Sequence, residues 1–427
     1  MAVVDTGLRK FTDGAQHVLL SDNQIRLSDG ANIDAFSRLR VSYPISIFTH
    51  QNSYGTDTDI YETVKSGAGT AATYLPNEDS LNLTVGTVSG EYTIRQTFRY
   101  FPYTPGKSQL IVMTGVLGTG VTNITKRIGY FDNSNGLFFE QADSTLKVVR
   151  RTFTSGAVVD NAVNQSAWNI DKFDGSGPSG LVIDVSKAQI FVIDFQWLGV
   201  GRVRFGFDID GVIYYCHQLL NANSLTTVYM TTATLPLRYE IRNIGTSAGA
   251  SLKQICSCVT SEGGTIPEGE QFSASSGITT VPVTTRRPVF AIRLKTTVNS
   301  KVNRKNAKLL ENHVRATTND AYIEIIHGHL PTAVTATWTS AGSDSGIEYS
   351  IDISAVTFTD EHRVESFYAT AGIGQASFVI NEEIDVANEH DRIYLDYAGT
   401  TSAYFVVYAT SFTGTSNVAT TATWIES

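Results

Sequence analysis

One stretch constrains the fold more than any other: residues 189–219, QIFVIDFQWLGVGRVRFGFDIDGVIYYCHQL. Phe191, Ile193, Phe195 and Trp197 alternate with Val192, Asp194 and Gln196. Val203, Phe205, Phe207 and Ile209 alternate with Arg202, Arg204 and Asp208. A period of two is the mark of strands whose successive side chains point to opposite faces. Gly199-Val200-Gly201 can turn the chain, and Asp210-Gly211 is a strong two-residue hairpin signal. A three-residue loop at 199–201 pairs Leu198 with Arg202, so Trp197 faces Val203 and Phe195 faces Phe205. The second turn pairs Ile209 with Val212. Every large apolar residue then falls on one side. Gln196 and Arg204 fall on the other, with Asp194 diagonal to Arg204. A one-residue slip would invert this, so the register is well specified. The pattern predicts a three-stranded meander with one buried and one polar face, as in a sandwich sheet.

The rest of the chain extends this reading. Of 427 residues only 17% are charged, while aromatic residues reach 10%. Aromatic residues fit pleated, half-buried surfaces. Single cores seldom exceed about 300 residues, so at least two domains are expected. Residues 31–260 read as a jelly-roll-like β-sandwich with further strands at TIRQTFRY, RIGYF, GLFFE, TLKVVRRTF and LRYEIRNI. SQLIVMTGVL is more continuously apolar and belongs in mid-sheet. Residues 261–287, rich in Gly, Ser, Thr and Pro, read as a linker. Residues 288–427 read as a second β-sandwich, with strands at PVFAIRLK, AYIEIIHG, AVTATW, YSIDISAV, ASFVIN, RIYLDY, AYFVVYATSF and ATTATWIE. KVNRKNAKLLENHV is the one helix candidate, but its poor apolar spacing favours an irregular loop feeding a strand. Residues 1–30 read either as an arm docking onto a neighbouring protein or as a leading strand. The predicted class is all-β: two antiparallel sandwiches with a short N-terminal arm; in its strand layout and the hairpin QWLGVGRVRFGFDIDG the first resembles concanavalin-like jelly rolls.

Composition also limits function. A net charge of -9 argues against a nucleic-acid groove, which needs clustered Lys and Arg. No apolar run approaches the length of a membrane span, and no secretion signal is visible. Cys216, Cys256 and Cys258 do not make a disulfide framework. They read as small buried hydrophobes in a chain folded in a reducing cytoplasm.

Candidate chemistry is sparse. Asp174-Gly175-Ser176-Gly177-Pro178-Ser179-Gly180 contains a formal Gly-x-Gly-x-x-Gly, but it does not open a helix, so phosphate binding has no support. Asn169, Asp171 and Asp174 could hold Ca²⁺ on a Gly-rich turn, or form an ordinary Asx-rich turn. His327 and His329 would share one face of a strand, which suits a pair of metal ligands; Gly328 between them is equally compatible with a turn. Glu382, Glu383 and Asp391, near His390, read as a solvated loop rather than a glycosidase pair. The crowded segment RQTFRYFPYTPG sets core packing of Phe98 and Tyr100 against a subunit interface or sugar platform, with Arg99, Phe101 and Tyr103 as interface candidates. No catalytic residue and no cofactor are assigned, and the chain is expected to be non-enzymatic.

The motifs SRLRVS, YTPGKSQLIVMTGVLG, RIGYFDNSNGLFFE, SAWNIDKFDGSGPSG, LPLRYEIRN and RPVFAIRLK, with the meander above, resemble virion structural proteins of tailed phages of aquatic bacteria, also seen in large algal viruses. The resemblance runs from about residue 33 to the C-terminus. It implies a virion protein made in the host cytoplasm, with other virion proteins as partners. A capsid decoration protein or head fibre is expected, self-associating as a trimer by analogy. The alternative is a tail fibre or adhesin recognising a host surface glycan. Neither nucleic-acid binding nor membrane insertion is expected.

Overall fold

The computed structural model describes residues 44–263, 269–372, 376–379 and 392–427. The expected arm at 1–30 lies outside them. Among the described residues fifteen strands form the first half: β1 Pro44–Gln51, β2 Tyr61–Ser66, β3 Ala71–Leu75, β4 Ser80–Val85 and β5 Tyr92–Thr97. Then come β6 Ser108–Val116, β7 Ile124–Phe131, β8 Gly136–Ala142, β9 Thr145–Thr152 and β10 Val159–Asn164. The half ends with β11 Gln189–Phe195, β12 Val203–Ile209, β13 Val212–Leu219, β14 Leu237–Asn243 and β15 Ala250–Glu262. An eight-stranded sheet runs β13-β12-β11-β6-β15-β4-β3, with β1 also on β15. It packs on a seven-stranded sheet, β10-β9-β8-β7-β14-β5-β2. Strands β4 to β7 alternate between the sheets, giving a jelly-roll sandwich. The apolar strand β6 lies at the centre of its sheet, as its composition requires.

The meander forms with the expected faces and a different register. Phe195 faces Val203, Ile193 faces Phe205 and Phe191 faces Phe207. The connection is therefore five residues, 197–201, closed by Gly201 N–H donating to the Trp197 carbonyl at 2.7 Å. A two-residue shift leaves every side chain on its original face, so burial alone cannot distinguish the two registers. Trp197 fixes the wider loop by donating from Nε1 to the Met230 carbonyl at 3.2 Å. Ile209 pairs with Val212 as expected, and a bulge opposite Phe205 and Gly206 leaves Cys216 as the extra residue. The core centres on Phe139, whose ring lies 5.1–5.5 Å from those of Phe191, Phe205 and Phe207. Such tilted and edge-on pairs add stabilisation beyond the area they bury.

The second sandwich begins with β16 Glu270–Ser275, β17 Val281–Val283, β18 Arg287–Leu294, β19 Thr297–Val298, β20 Lys301–Val302 and β21 Ala307–Ala316. It continues with β22 Ala321–Thr335, β23 Thr339–Ser340, β24 Ile347–Ser350, β25 Ala355–Ala369 and β26 Ala376–Val379. It closes with β27 Arg392–Ile393, β28 Tyr404–Ser411 and β29 Ser416–Glu426. One sheet runs β16-β29-β21-β26, with β17 on β29 and β27 on β21; the other runs β23-β24-β18-β28-β22-β25. Its core includes Trp424, Ile323, Ile325, Phe405 and Val407.

The linker expected at 261–287 is corrected. Within it β16 and β17 both pair with β29, the last strand of the chain. A partner so distant in sequence leaves no local signal in a Ser- and Thr-rich run. KVNRKNAKLLENHV contains β20, a short loop and the start of β21 rather than a helix. The two strands expected at AYIEIIHG and AVTATW are one, β22, carrying bulges opposite β25.

A polar and aromatic seam joins the sandwiches. Asn306 Nδ2 donates to the Tyr100 carbonyl at 2.9 Å, and Arg304 lies over the Tyr100 ring. Tyr397 donates its N–H to Glu62 Oε2 and its hydroxyl to Asn133 Oδ1 at 2.8 Å. Phe98 and Tyr100 are buried here. Among the described residues no helix is long and apolar enough to cross a membrane.

Candidate functional site

The outward residues of the eight-stranded sheet form the most distinctive surface. On β6 these are Ser108, Leu110, Val112 and Thr114, since Ile111 and Met113 point into the core. On β15 they are Cys256, Cys258, Thr260 and Glu262. A bulge between Gln254 and Ser257 sets this phase. A groove of about 340 Å³ lies over β1, β6 and β15, lined by Thr49, Gln51, Val112, Thr114, Cys256 and Cys258. That volume is at the small end of ligand sites. The reading of all three cysteines as buried is corrected. Cys216 is buried, whereas Cys256 and Cys258 are half-buried in the groove.

The groove floor is unusually polar beneath. His50 is buried, and its Nε2 meets Asp57 Oδ2 at 2.8 Å. Burial lowers the His50 pKa against the opposing pull of Asp57. The Tyr61 and Ser257 hydroxyls hydrogen-bond at 2.7 Å. Arg95, fully buried, donates to Gln254 Oε1 at 3.1 Å and to the carbonyls of Tyr61 and Thr56. Burial lowers its pKa to about 10.

Four residues along β15 from Cys258, roughly 13 Å at strand rise, the same face carries two carboxylates. Asp194 pairs with Arg204 and accepts from Ser108 Oγ at 3.2 Å and Tyr215 Oη at 2.9 Å. Burial and the charge of Asp194 together raise the Glu262 pKa, with Arg204 opposing. One carboxylate is thus anchored by three donors, while its neighbour is biased toward holding a proton. Sequence reasoning placed Asp194 on this face but could not bring Glu262 to it, because β11 and β15 are separated by β6 in the sheet.

On the opposite sheet the outer face is closed by an ion network. Glu240 receives Arg127 at 2.7 Å, Arg242 at 2.6 Å and Arg238 at 3.3 Å. Glu140 takes a second bond from Arg127 at 2.8 Å.

The remaining sequence candidates separate. Asn169 bonds the Gln218 backbone in both directions. Asp171 accepts the N–H groups of Phe173 and Ser179, and Asp174 accepts the N–H and hydroxyl of Ser176. The Asp171 and Asp174 bonds hold the local turns of the Asx-rich alternative, whereas Asn169 ties the segment to β13. Gly177 is required there, since a Cβ would sit 2.0 Å from Asp171 Oδ1. The interface candidates are corrected. Phe101 is fully buried and Arg99 is 6% exposed, with Nη1 on the Ile47 carbonyl. Tyr103 packs on Phe195 and Trp197. These residues serve the chain's own core. Glu382, Glu383, His390 and Asp391 lie outside the described residues. His327 and His329 lie side by side on β22, rings 4.5 Å apart, facing the seam.

An exposed aromatic row, which sequence reasoning missed, lies at the edge of the second sandwich. Tyr368 and Phe412 are 67% and 58% exposed, with rings 5.6 Å apart. Tyr322 adds a third ring, 5.6 Å from Tyr368.

No family model matches the chain, and no curated protein is similar to it. Among solved structures it is similar to a legume lectin-like domain from Entamoeba histolytica (8% identity, 50% of this chain, 97% of that one, TM-score 0.30). It is also similar to the CBM2 module of an evolved Dit protein of Lactobacillus casei phage J-1 (8%, 53% and 100%, TM-score 0.32). A third is a β-1,3-glucanase from Mycobacterium marinum (11%, 51% and 97%, TM-score 0.33). At these identities the likeness concerns fold alone. The expectation that the chain is non-enzymatic is corrected. Glycoside hydrolases recur among the structures similar in fold.

Proposed function

We propose that this chain is a structural protein of the tailed-phage particle exterior, a capsid decoration protein or head fibre, held by contacts to neighbouring virion subunits. The observation that carries this reading is the row Tyr322, Tyr368 and Phe412. Large aromatic side chains left in water cost free energy that a partner surface recovers, and aromatics are enriched at subunit interfaces. The seam supports the same reading, because two sandwiches joined in one compact unit present their surfaces together. The long sequence resemblance points to the same class. The partner is another virion protein or a second copy of the chain, in keeping with the trimer expected by analogy. The test is to grow particles carrying Tyr368→Ser together with Phe412→Ser. Purified particles should hold several-fold fewer copies of the variant. Copy number equal to wild type contradicts the reading.

A second reading is favoured by the groove and by the carboxylates Asp194 and Glu262: an adhesin whose open sheet face binds a host surface glycan. Host envelope polysaccharide should then slow thiol-reagent modification of Cys256 and Cys258. Incubation of the same polysaccharide with the chain would also reveal any hydrolysis, which Glu262→Gln should abolish. Unchanged labelling removes this reading.

A further inference from the structure

A cluster of imidazoles and carboxylates spans the seam. Asp59 belongs to the loop before β2 in the first sandwich. His329 is on β22, and Asp360 and His362 are on β25, in the second. His329 lies directly across from Asp360, and His327 across from His362. Cross-strand partners share a face, so the ribbon presents a two-by-two block of side chains toward Asp59. His362 Nε2 lies 2.8 Å from Asp59 Oδ2 and 3.8 Å from Asp360 Oδ2. His329 Nε2 lies 3.9 Å from Asp59 Oδ1. The donor atoms of Asp59, Asp360 and His362 all fall within 4.8 Å of one another.

We propose that Asp59, His329, Asp360 and His362 form a binding site for a divalent transition-metal ion of the Zn²⁺ class, tying the first sandwich to the second. Two imidazole nitrogens and two carboxylates are a donor set that suits such an ion. Tetrahedral bonds of about 2.0–2.2 Å place donors roughly 3.3–3.6 Å apart. The separations of 2.8 Å from His362 to Asp59, 3.8 Å from His362 to Asp360 and 3.9 Å from His329 to Asp59 bracket that range; Asp59, Asp360 and His362 form the compact group, and His329 would turn toward it as the fourth ligand. Asp59 Oδ1 is shielded from water and accepts no hydrogen bond among the described residues. A cation would satisfy both carboxylates together. His327 packs its ring against His329 and Phe405, which fixes the direction in which His329 presents its nitrogen. The ligands come from both sandwiches, so the ion would act as a cross-link. Its removal would loosen the seam without touching either core.

The test uses the full chain, stripped with chelator and dialysed. Added Zn²⁺ should bind at about one ion per chain and raise the melting temperature. Co²⁺ in its place should give the visible absorption of a four- or five-coordinate nitrogen and oxygen site. Asp59→Asn and His362→Gln should each weaken binding about tenfold or more, with far-UV circular dichroism unchanged. His362 is 38% exposed at its side chain, so its replacement leaves folding intact. Asp174→Asn, on a remote loop, should bind as wild type. Failure of the stripped chain to take up Zn²⁺ or Co²⁺, or binding by both site variants equal to wild type, overturns the proposal.

Discussion

Replacing Glu240 with Gln tests whether the closed face of the seven-stranded sheet is held by charge. Glu240 is 1% exposed on β14. Burial pushes its carboxyl pKa up, but Arg127, Arg238 and Arg242 more than reverse this and hold it at about 2. Measured from the ordinary 4.5, at ~1.4 kcal/mol per pH unit, the depression corresponds to about 3 kcal/mol of stability at neutral pH. Glu240→Gln keeps the size and shape of the side chain and removes the charge, leaving three guanidiniums without their shared counter-ion. Removing one partner of a buried ion network costs about 3–5 kcal/mol in comparable cases, so the two routes agree. The sign follows from linkage. A carboxyl with a depressed folded pKa stabilises the fold above its unfolded pKa, and this is lost as pH falls through the folded value. The gap between wild type and variant should therefore be full at about pH 7, narrow below about pH 4.5 and close near pH 2. Urea unfolding followed by tryptophan fluorescence across this range measures it. Equal stabilities at neutral pH, or a gap that persists undiminished near pH 2, would refute the reasoning.

Glu62 behaves in the opposite sense. Burial, aided by Asp396 and opposed by the Tyr397 N–H and Arg304, raises its pKa to about 7. Its proton-bound form stabilises the fold at low pH, and that contribution is lost as pH rises from about 4.5 to about 7. Glu62→Gln should flatten this limb by about 2 kcal/mol, allowing for partial exposure; an unchanged slope in urea titrations would contradict it. Phe207→Ala removes a ring packed among Phe139, Phe173 and Phe191 and should cost about 3–5 kcal/mol, read as a lowered urea midpoint. A thiol reagent should modify Cys256 and Cys258 in the folded chain and Cys216 only after unfolding; one or three reactive thiols would contradict the groove geometry.

Much of the fold was legible because the apolar period of two is strong where one sheet face is buried. Phe191, Ile193 and Phe195 announced their face, and β6 announced its central place. The register of the 189–219 meander was not legible. Pairings two residues apart bury the same side chains, and the longer loop is held by bonds to distant residues, from Trp197 to Met230 and from Tyr229 and Asn221 to Gly199 and Gly201. Strands β16 and β17 were invisible because their partner β29 lies at the far end of the chain. The sites were less legible than the fold. Arg99, Phe101 and Tyr103 look like an interface in sequence because aromatics and Arg mark interfaces and cores alike. Asp194 and Glu262 share a face only through the strand β6 between them. His327 and His329 were a recognisable pair, but Asp59, some 270 positions earlier, reaches them only once the sandwiches meet. Tyr368 and Phe412 are isolated in sequence, and no pattern marks them as neighbours.

The central claim is that this chain is a component of the particle exterior. Quantitative peptide mass spectrometry of purified particles, normalised to the major capsid protein, tests it most directly. The account predicts many copies per particle, in a fixed ratio to capsid sites. A handful of copies would move the chain to the tail and favour the glycan-binding reading. Its absence from purified particles would contradict the account.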